Sequence, residues 1–124
     1  LIDFQDAFWG PLSYDLVNLL KDARKTVPQD IQDAIFADTY KDMSTEEREG
    51  FEMWFDLMSA HFHCRVIGLF IKFSQETNTD KFLKHIPRLQ HYLKEEIERP
   101  VLAPLKAFIE EHKISFDCKP KLKS

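Results

Sequence analysis

At 124 residues the chain is short enough for one domain, and 44% hydrophobic content with eleven Phe and two Trp is enough to build a core, which excludes a disordered segment. A net charge of −4 argues against a nucleic-acid-binding or membrane-surface protein. Two cysteines far apart, Cys64 and Cys118, fit a reduced, cytoplasmic protein; the longest apolar run, 66–71, is too short to span a bilayer, and no signal peptide is expected.

Residues 1–4, Leu-Ile-Asp-Phe, predict a strand, and an unpaired apolar strand in water needs a partner. Gly10-Pro11 breaks the loop that follows. Ser13 is placed to cap a first helix running to about Lys25, with Asp15 in its first turn and Tyr14, Val17 and Leu20, joined by Leu16, as an apolar stripe. Pro28 starts a second helix, whose mixed face is Ile31, Ala34, Ile35, Asp38 and Thr39 and whose end lies near Asp42.

Ser44-Thr45-Glu46-Glu47 is a capping box, a hydroxyl at the cap with a carboxylate three residues on. It opens the longest helix, about 45–75. Phe51, Trp54, Phe55, Met58, Phe62, Arg65, Leu69 and Phe73 recur there at helical spacing, and Leu57, Cys64, Ile67 and Ile71 form a second flank, so the helix is expected to be buried against several neighbours. After a polar turn at 76–80, a short helix over 80–85 meets Pro87, which starts or kinks a helix through about Arg99 with Leu83, Ile86, Leu89, Leu93 and Ile97 facing the core. Pro100 and Pro104 bracket the entry to a last helix ending near His112. Residues 114–124 read as a polar tail whose lysines are solubilising.

The most informative stretch is the first. A carboxylate delivered by a strand end, as in Asp3-Phe4, can ligate the magnesium that bridges ATP phosphates, although strand-end aspartates are also ordinary turn residues. The wider string is Ile2-Asp3-Phe4-Gln5-Asp6-Ala7, Gly10-Pro11, Tyr14-Asp15-Leu16, Leu19-Leu20 and Asp22-Ala23-Arg24. It resembles the aminoglycoside phosphotransferase and choline kinase superfamily of protein-kinase-like small-molecule kinases. Its Asp-Phe-Gln-Asp-Ala form looks most like the bacterial kinases that phosphorylate the anomeric position of N-acetylmuramate and N-acetylglucosamine. Weaker similarity continues through Trp54-Phe55-Asp56-Leu57-Met58, His63, Arg65-Val66-Ile67-Gly68 and Pro87-Arg88.

The resemblance implies that Asp3 ligates Mg2+ on the phosphates of ATP, a hard cation on an oxygen ligand. Asp6 would hold a second metal, contact substrate or brace the loop. Asp15 matches the aspartate that braces the catalytic loop in that superfamily, and a first-turn helix charge accounts for it equally. Arg24 is explained by a helix C-terminus, with substrate contact as the other reading. Arg65 is a stem-buried arginine or a substrate or domain contact. His63 falls where the resemblance puts the long helix beside the substrate. His61 and His63, two apart, point to different faces and cannot share a metal. His61 and Cys64 lack a third ligand for zinc, and Cys64 reads as a core residue.

The expected fold is mainly α: the helical C-lobe of a protein-kinase-like phosphotransferase with one remnant N-terminal strand. Residues 1–12 form the metal-binding strand and loop, 13–113 the helical subdomain and 114–124 the tail. A kinase of this type also needs a phosphate-covering loop, a phosphate-binding Lys and a catalytic loop. The scattered Gly10, Gly50 and Gly68 and the absence of a His-x-Asp pattern supply none of them. The chain is therefore expected to be an inactive C-terminal part of an ATP-dependent kinase acting on a hydroxyl of a small molecule, foremost an amino sugar. Its partners would be that acceptor and the missing N-terminal part, with no nucleic acid and no membrane. Aminoglycoside, choline or homoserine kinases are the alternatives within the superfamily, and a non-catalytic helical interaction module is the alternative outside it.

Overall fold

The computed structural model describes residues 9–117 and 121–122, and the fold is mainly helical, with five α-helices and no strand among the described residues. The expected strand at 1–4 and the candidate ligands Asp3 and Asp6 lie outside the described residues.

The first helix, α1 (Leu12–Leu20), starts after Pro11, whose extended backbone offers its carbonyl to the N–H of Tyr14 at 3.0 Å. Ser13 is not the cap expected of it. It sits inside the first turn, almost fully buried, and its Oγ has no partner among the described residues. Nor does α1 reach Lys25. The Asp22 carboxylate accepts the N–H groups of Arg24 at 2.6 Å and Lys25 at 3.1 Å, a side-chain turn that competes with continued helix. Arg24 therefore stands in a loop, paired with Asp22 at 3.4 Å, and not at a helix end.

The second helix, α2 (Gln29–Tyr40), follows Pro28 as expected and stops just short of Asp42. Its packed face differs from the one read from the sequence. Ile31 is exposed, as are Ala34 and Asp38, while Ile35, Phe36 and Tyr40 pack on the core. Aromatic contacts decide the rotation: Phe36 meets Phe55 edge-on with ring centres 5.2 Å apart, and Tyr40 meets Phe51 at 5.8 Å.

The Ser44 box forms in both directions. The N–H of Glu47 donates to Ser44 Oγ at 3.2 Å, and the N–H of Ser44 donates to the Glu47 carboxylate at 2.7 Å. It opens α3 (Thr45–Thr77), about 50 Å long, and α1 and α4 (Ile86–Glu96) both pack along it. The seam that α3 buries is Phe51, Phe55, Ser59, Phe62, His63 and Val66. Trp54, Arg65 and Phe73, expected in that stripe, are exposed, and so is Cys64. The helix closes on Asn78 in the left-handed conformation, with the N–H of Thr79 reaching back to the Ser74 carbonyl at 3.1 Å.

A 3-10 turn at Leu83–His85 leads into α4, which carries Pro87 in its first turn and buries Ile86, Leu89, Leu93 and Glu96. It ends three residues before Arg99. A second 3-10 turn, Pro100–Leu102, leads into α5 (Ala103–Glu111). Beyond α5, Phe116 packs with Leu93, Leu102 and Ala60, and Lys94 pairs with Asp117 at 2.5 Å.

Candidate functional site

The turn at 21–25, between α1 and α2, separates two clefts and is fastened from beneath. His63, fully buried on α3, reaches the Lys21 carbonyl through Nε2 at 3.2 Å and the Glu96 carboxylate of α4 through Nδ1 at 2.8 Å. Ser59, one helical turn earlier on α3, donates its hydroxyl to the other oxygen of Glu96. Tyr92 stacks on the imidazole with ring centres 5.1 Å apart, and the Lys21 ammonium lies 5.2 Å above the Tyr92 ring.

This network assigns the imidazole tautomer. A carbonyl only accepts, so Nε2 carries a proton, and the Nδ1–Glu96 contact then holds one further proton between two buried groups. A buried carboxylate is tolerable only when its oxygens are satisfied, and Ser59 and His63 satisfy both. His63 is thus a bolt between α1, α3 and α4 and has no exposed surface of its own.

On one side of the turn lies a polar cleft of about 480 Å³, lined among others by Lys21, Tyr92, Asp56, Ser59, Glu96 and Arg99. Burial pushes the Asp56 carboxyl above its usual range. Arg99, at 3.9 Å, pulls it back, while the charges of Glu96 and Glu52 add to the rise. A carboxylate held in a cleft at a raised pKa is a common mark of a working site.

On the other side lies a cleft of about 530 Å³ with Phe62, Phe70 and Phe82 in its wall and Arg24, Lys81 and Lys84 around them. Burial lowers the His85 pKa, and the charges of Lys84, Arg88 and Arg24 lower it further against the opposing effect of Asp22. Asp22 itself is pushed up by burial, but the N–H groups and guanidinium of Arg24 and the N–H of Lys25 outweigh this and hold it below the usual carboxylate range.

The structure thus brings two of the sequence candidates, Arg24 and His63, to the same turn. Arg24 borders a cleft and His63 braces the loop beneath it. Arg65 stands apart on the exposed side of α3, and Asp15 is exposed in the first turn of α1. Sequence reasoning passed over Glu96 and Ser59. The signal was present: Ile86, Leu89, Leu93 and Glu96 recur at helical spacing, so Glu96 falls on the apolar stripe and not on the charged face suggested by the Glu-Glu-Ile-Glu run. Cys64, exposed on α3, has its thiol pushed up by burial against the apolar wall it shares with Ile67, Ile71, Leu93 and Phe116, and then by the charge of Glu96. No helix among the described residues is long and apolar enough to cross a membrane.

The chain is 35% identical over 118 residues to an N-acetylmuramate/N-acetylglucosamine kinase of Neisseria meningitidis serogroup B, a stretch covering 90% of this chain and 35% of that relative. It is 34% identical over 118 residues to the protein of the same name from Pseudomonas putida, again 90% of this chain and 35% of the relative. It is 32% identical over 112 residues to that of Pseudomonas aeruginosa, covering 85% and 33%. The chain spans about a third of the length of these curated relatives. No protein-family profile matches the chain, and no solved structure matches it.

Proposed function

We propose that this chain is the C-terminal helical part of a cytoplasmic, ATP-dependent sugar kinase that transfers the γ-phosphate to the anomeric hydroxyl of an N-acetylated amino sugar. The observation that carries this reading is the similarity to kinases named for N-acetylmuramate and N-acetylglucosamine, which runs along nearly the whole chain. The motif Ile2-Asp3-Phe4-Gln5-Asp6-Ala7 supports it from the chemical side. The parent's protein-kinase-like fold, with this chain as its C-lobe, is part of the same proposal.

Asp3, with Asp6 three residues on, offers hard carboxylate oxygens of the kind Mg2+ takes, and the metal would supply charge neutralisation across the ATP phosphates. Asp15 would brace the catalytic loop. The loop that orients the acceptor hydroxyl would come from the rest of the longer protein, so this chain by itself would not transfer phosphate. Its helices would furnish the wall against which the acceptor is held. Catalysis of phosphoryl transfer is mostly positioning and electrostatics, and a turn bolted to two helices is suited to the positioning part.

The test is phosphoryl transfer by the full-length protein to a panel of N-acetylmuramate, N-acetylglucosamine, an aminoglycoside, choline and homoserine. We expect phosphorylation of an amino sugar, with Asp3→Ala lowering kcat/KM by more than about tenfold, the loss of at least ~1.4 kcal/mol of transition-state stabilisation. Transfer only to one of the other acceptors would move the protein to another branch. No transfer to any, with no Mg2+-dependent ATP binding, would make the chain a helical interaction module.

A further inference from the structure

The names of the relatives pose a chemical problem that the clefts can answer. N-acetylmuramate is N-acetylglucosamine carrying a lactyl ether, so it bears a carboxylate that the second sugar lacks. A site that accepts the charged sugar without a cation would have to desolvate that carboxylate unpaired, which is costly. A cation set for it, within reach of a wall that fits a sugar ring, is therefore the feature to seek.

Resting on the sugar-kinase reading, we propose that the cleft bordered by Arg24, Lys81 and Lys84 over Phe62, Phe70 and Phe82 is the subsite that takes the carboxylate of an acidic amino sugar. Three cations face a single carboxylate, Asp22, whose Oδ1 is already engaged by the turn's own N–H groups. The guanidinium of Arg24 is largely exposed and meets Asp22 at only 3.4 Å, leaving most of its donors open to a ligand. Lys81 and Lys84 are likewise exposed. Arg88, one turn beyond His85, adds positive charge and keeps a buried Nη1 without a partner among the described residues. Burial first, and then the charges of Lys84, Arg88 and Arg24, lower the pKa of the neighbouring His85.

The wall suits the rest of such a ligand. Phe70 and Phe82 lie with ring centres 5.6 Å apart, and Phe82 touches Phe73 at 6.0 Å, giving an apolar surface for the C–H face of a pyranose. The volume, about 530 Å³, lies inside the ~300–1,000 Å³ of small-molecule sites. The polar cleft across the turn is the poorer candidate, because Asp56, Glu96, Glu52 and Glu95 in its wall would repel a carboxylate. The bolt at His63 gains a role here, since it fixes the backbone from which Arg24 projects.

The experiment uses the full-length protein and measures kcat/KM for N-acetylmuramate and for N-acetylglucosamine in the wild type, Arg24→Gln, Lys84→Gln, the double variant and Arg24→Lys. The ratio of the two constants should fall about tenfold in Arg24→Gln, as for loss of a charge-assisted hydrogen bond, through a raised KM for the acidic sugar. It should fall further in the double variant and be largely restored in Arg24→Lys. An unchanged ratio would overturn the subsite, and so would a raised KM for ATP with both sugars affected alike, which would place the nucleotide phosphates there instead. A wild type active on N-acetylglucosamine alone would sink the subsite and spare the kinase. A wild type active on neither would remove the kinase reading and the subsite with it.

Discussion

At His63 a single imidazole ties the end of α1 to both α3 and α4, and the consequences are large because the imidazole is fully buried and Glu96 nearly so. Removing one member of a buried pair leaves the other's polar atoms without partners, which costs about 3–5 kcal/mol. His63→Ala and Glu96→Ala should each lower the unfolding free energy by about 3 kcal/mol, measured by urea denaturation. The double variant should lose much less than twice that, because each change removes the other's reason to be costly. Additive losses would show that the two residues do not share a network. Asp56 argues in the opposite direction. Its carboxyl is raised by burial, so ionising it weakens the fold: the cost is absent well below the usual carboxylate range and appears as pH rises through the raised value. Asp56→Asn should therefore raise Tm by about 2 °C at neutral pH and lose that advantage in acid, with Arg99 limiting the gain. A Tm difference independent of pH would assign the effect to packing and not to charge.

Helix ends show what was readable in the chain and what was not. The Ser44 box is a local device complete within four residues, and the structure closes it in both directions. Ser44→Ala should cost about 1 kcal/mol, since it frees the N–H of Glu47 at the head of the longest helix. At the other end, Asn78 holds a left-handed φ of 48°, so Asn78→Gly should be neutral or stabilising by a few tenths of a kcal/mol, while a β-branched residue there should be destabilising. Thermal melts of both series would check this, and a stabilising Asn78→Val would contradict the strain argument. The first helix was misread because its fate is decided by competition: Ser13 faces the core, where a cap cannot form, and Asp22 captures the N–H groups that a longer helix would need. Along α3 the sequence reading favoured bulky Trp54 and Phe73 over Ser59. Only the arrival of α1 and α4 selects the Phe51, Phe55, Ser59 and Phe62 seam among several apolar faces, and Ser59 and Glu96 become visible as a pair only when two helices cross. The motif around Asp3 is legible in the sequence, but its ligand role is an expectation that falls outside the described residues. The basic cleft was not legible, because Arg24, Lys81 and Lys84 are brought together from segments some sixty residues apart in sequence.

The outer face of α1 raises a question for the molecule as a whole. Leu12 and Leu19 stand seven residues apart, two helical turns on one face, and both are more than half exposed, with Trp9 fully exposed just before the helix, while Leu16 between them packs on the core. Single exposed apolar side chains are ordinary, but two on one helix face beside an indole make a surface suited to contact with another body. Under the sugar-kinase reading that body is the remainder of the longer protein. Expressed alone, the chain should then self-associate with rising concentration and enhance the fluorescence of an apolar dye, both reduced by Leu12→Gln with Leu19→Gln. Because those side chains already face solvent, the substitutions should change stability by no more than about 0.5 kcal/mol, so loss of association would not reflect unfolding. In the full-length protein the same pair of changes should lower Tm and catalytic turnover, since there the leucines would be buried. A chain that sediments as a monomer with no dye response, and a full-length protein indifferent to both substitutions, would show that this face is simply solvated.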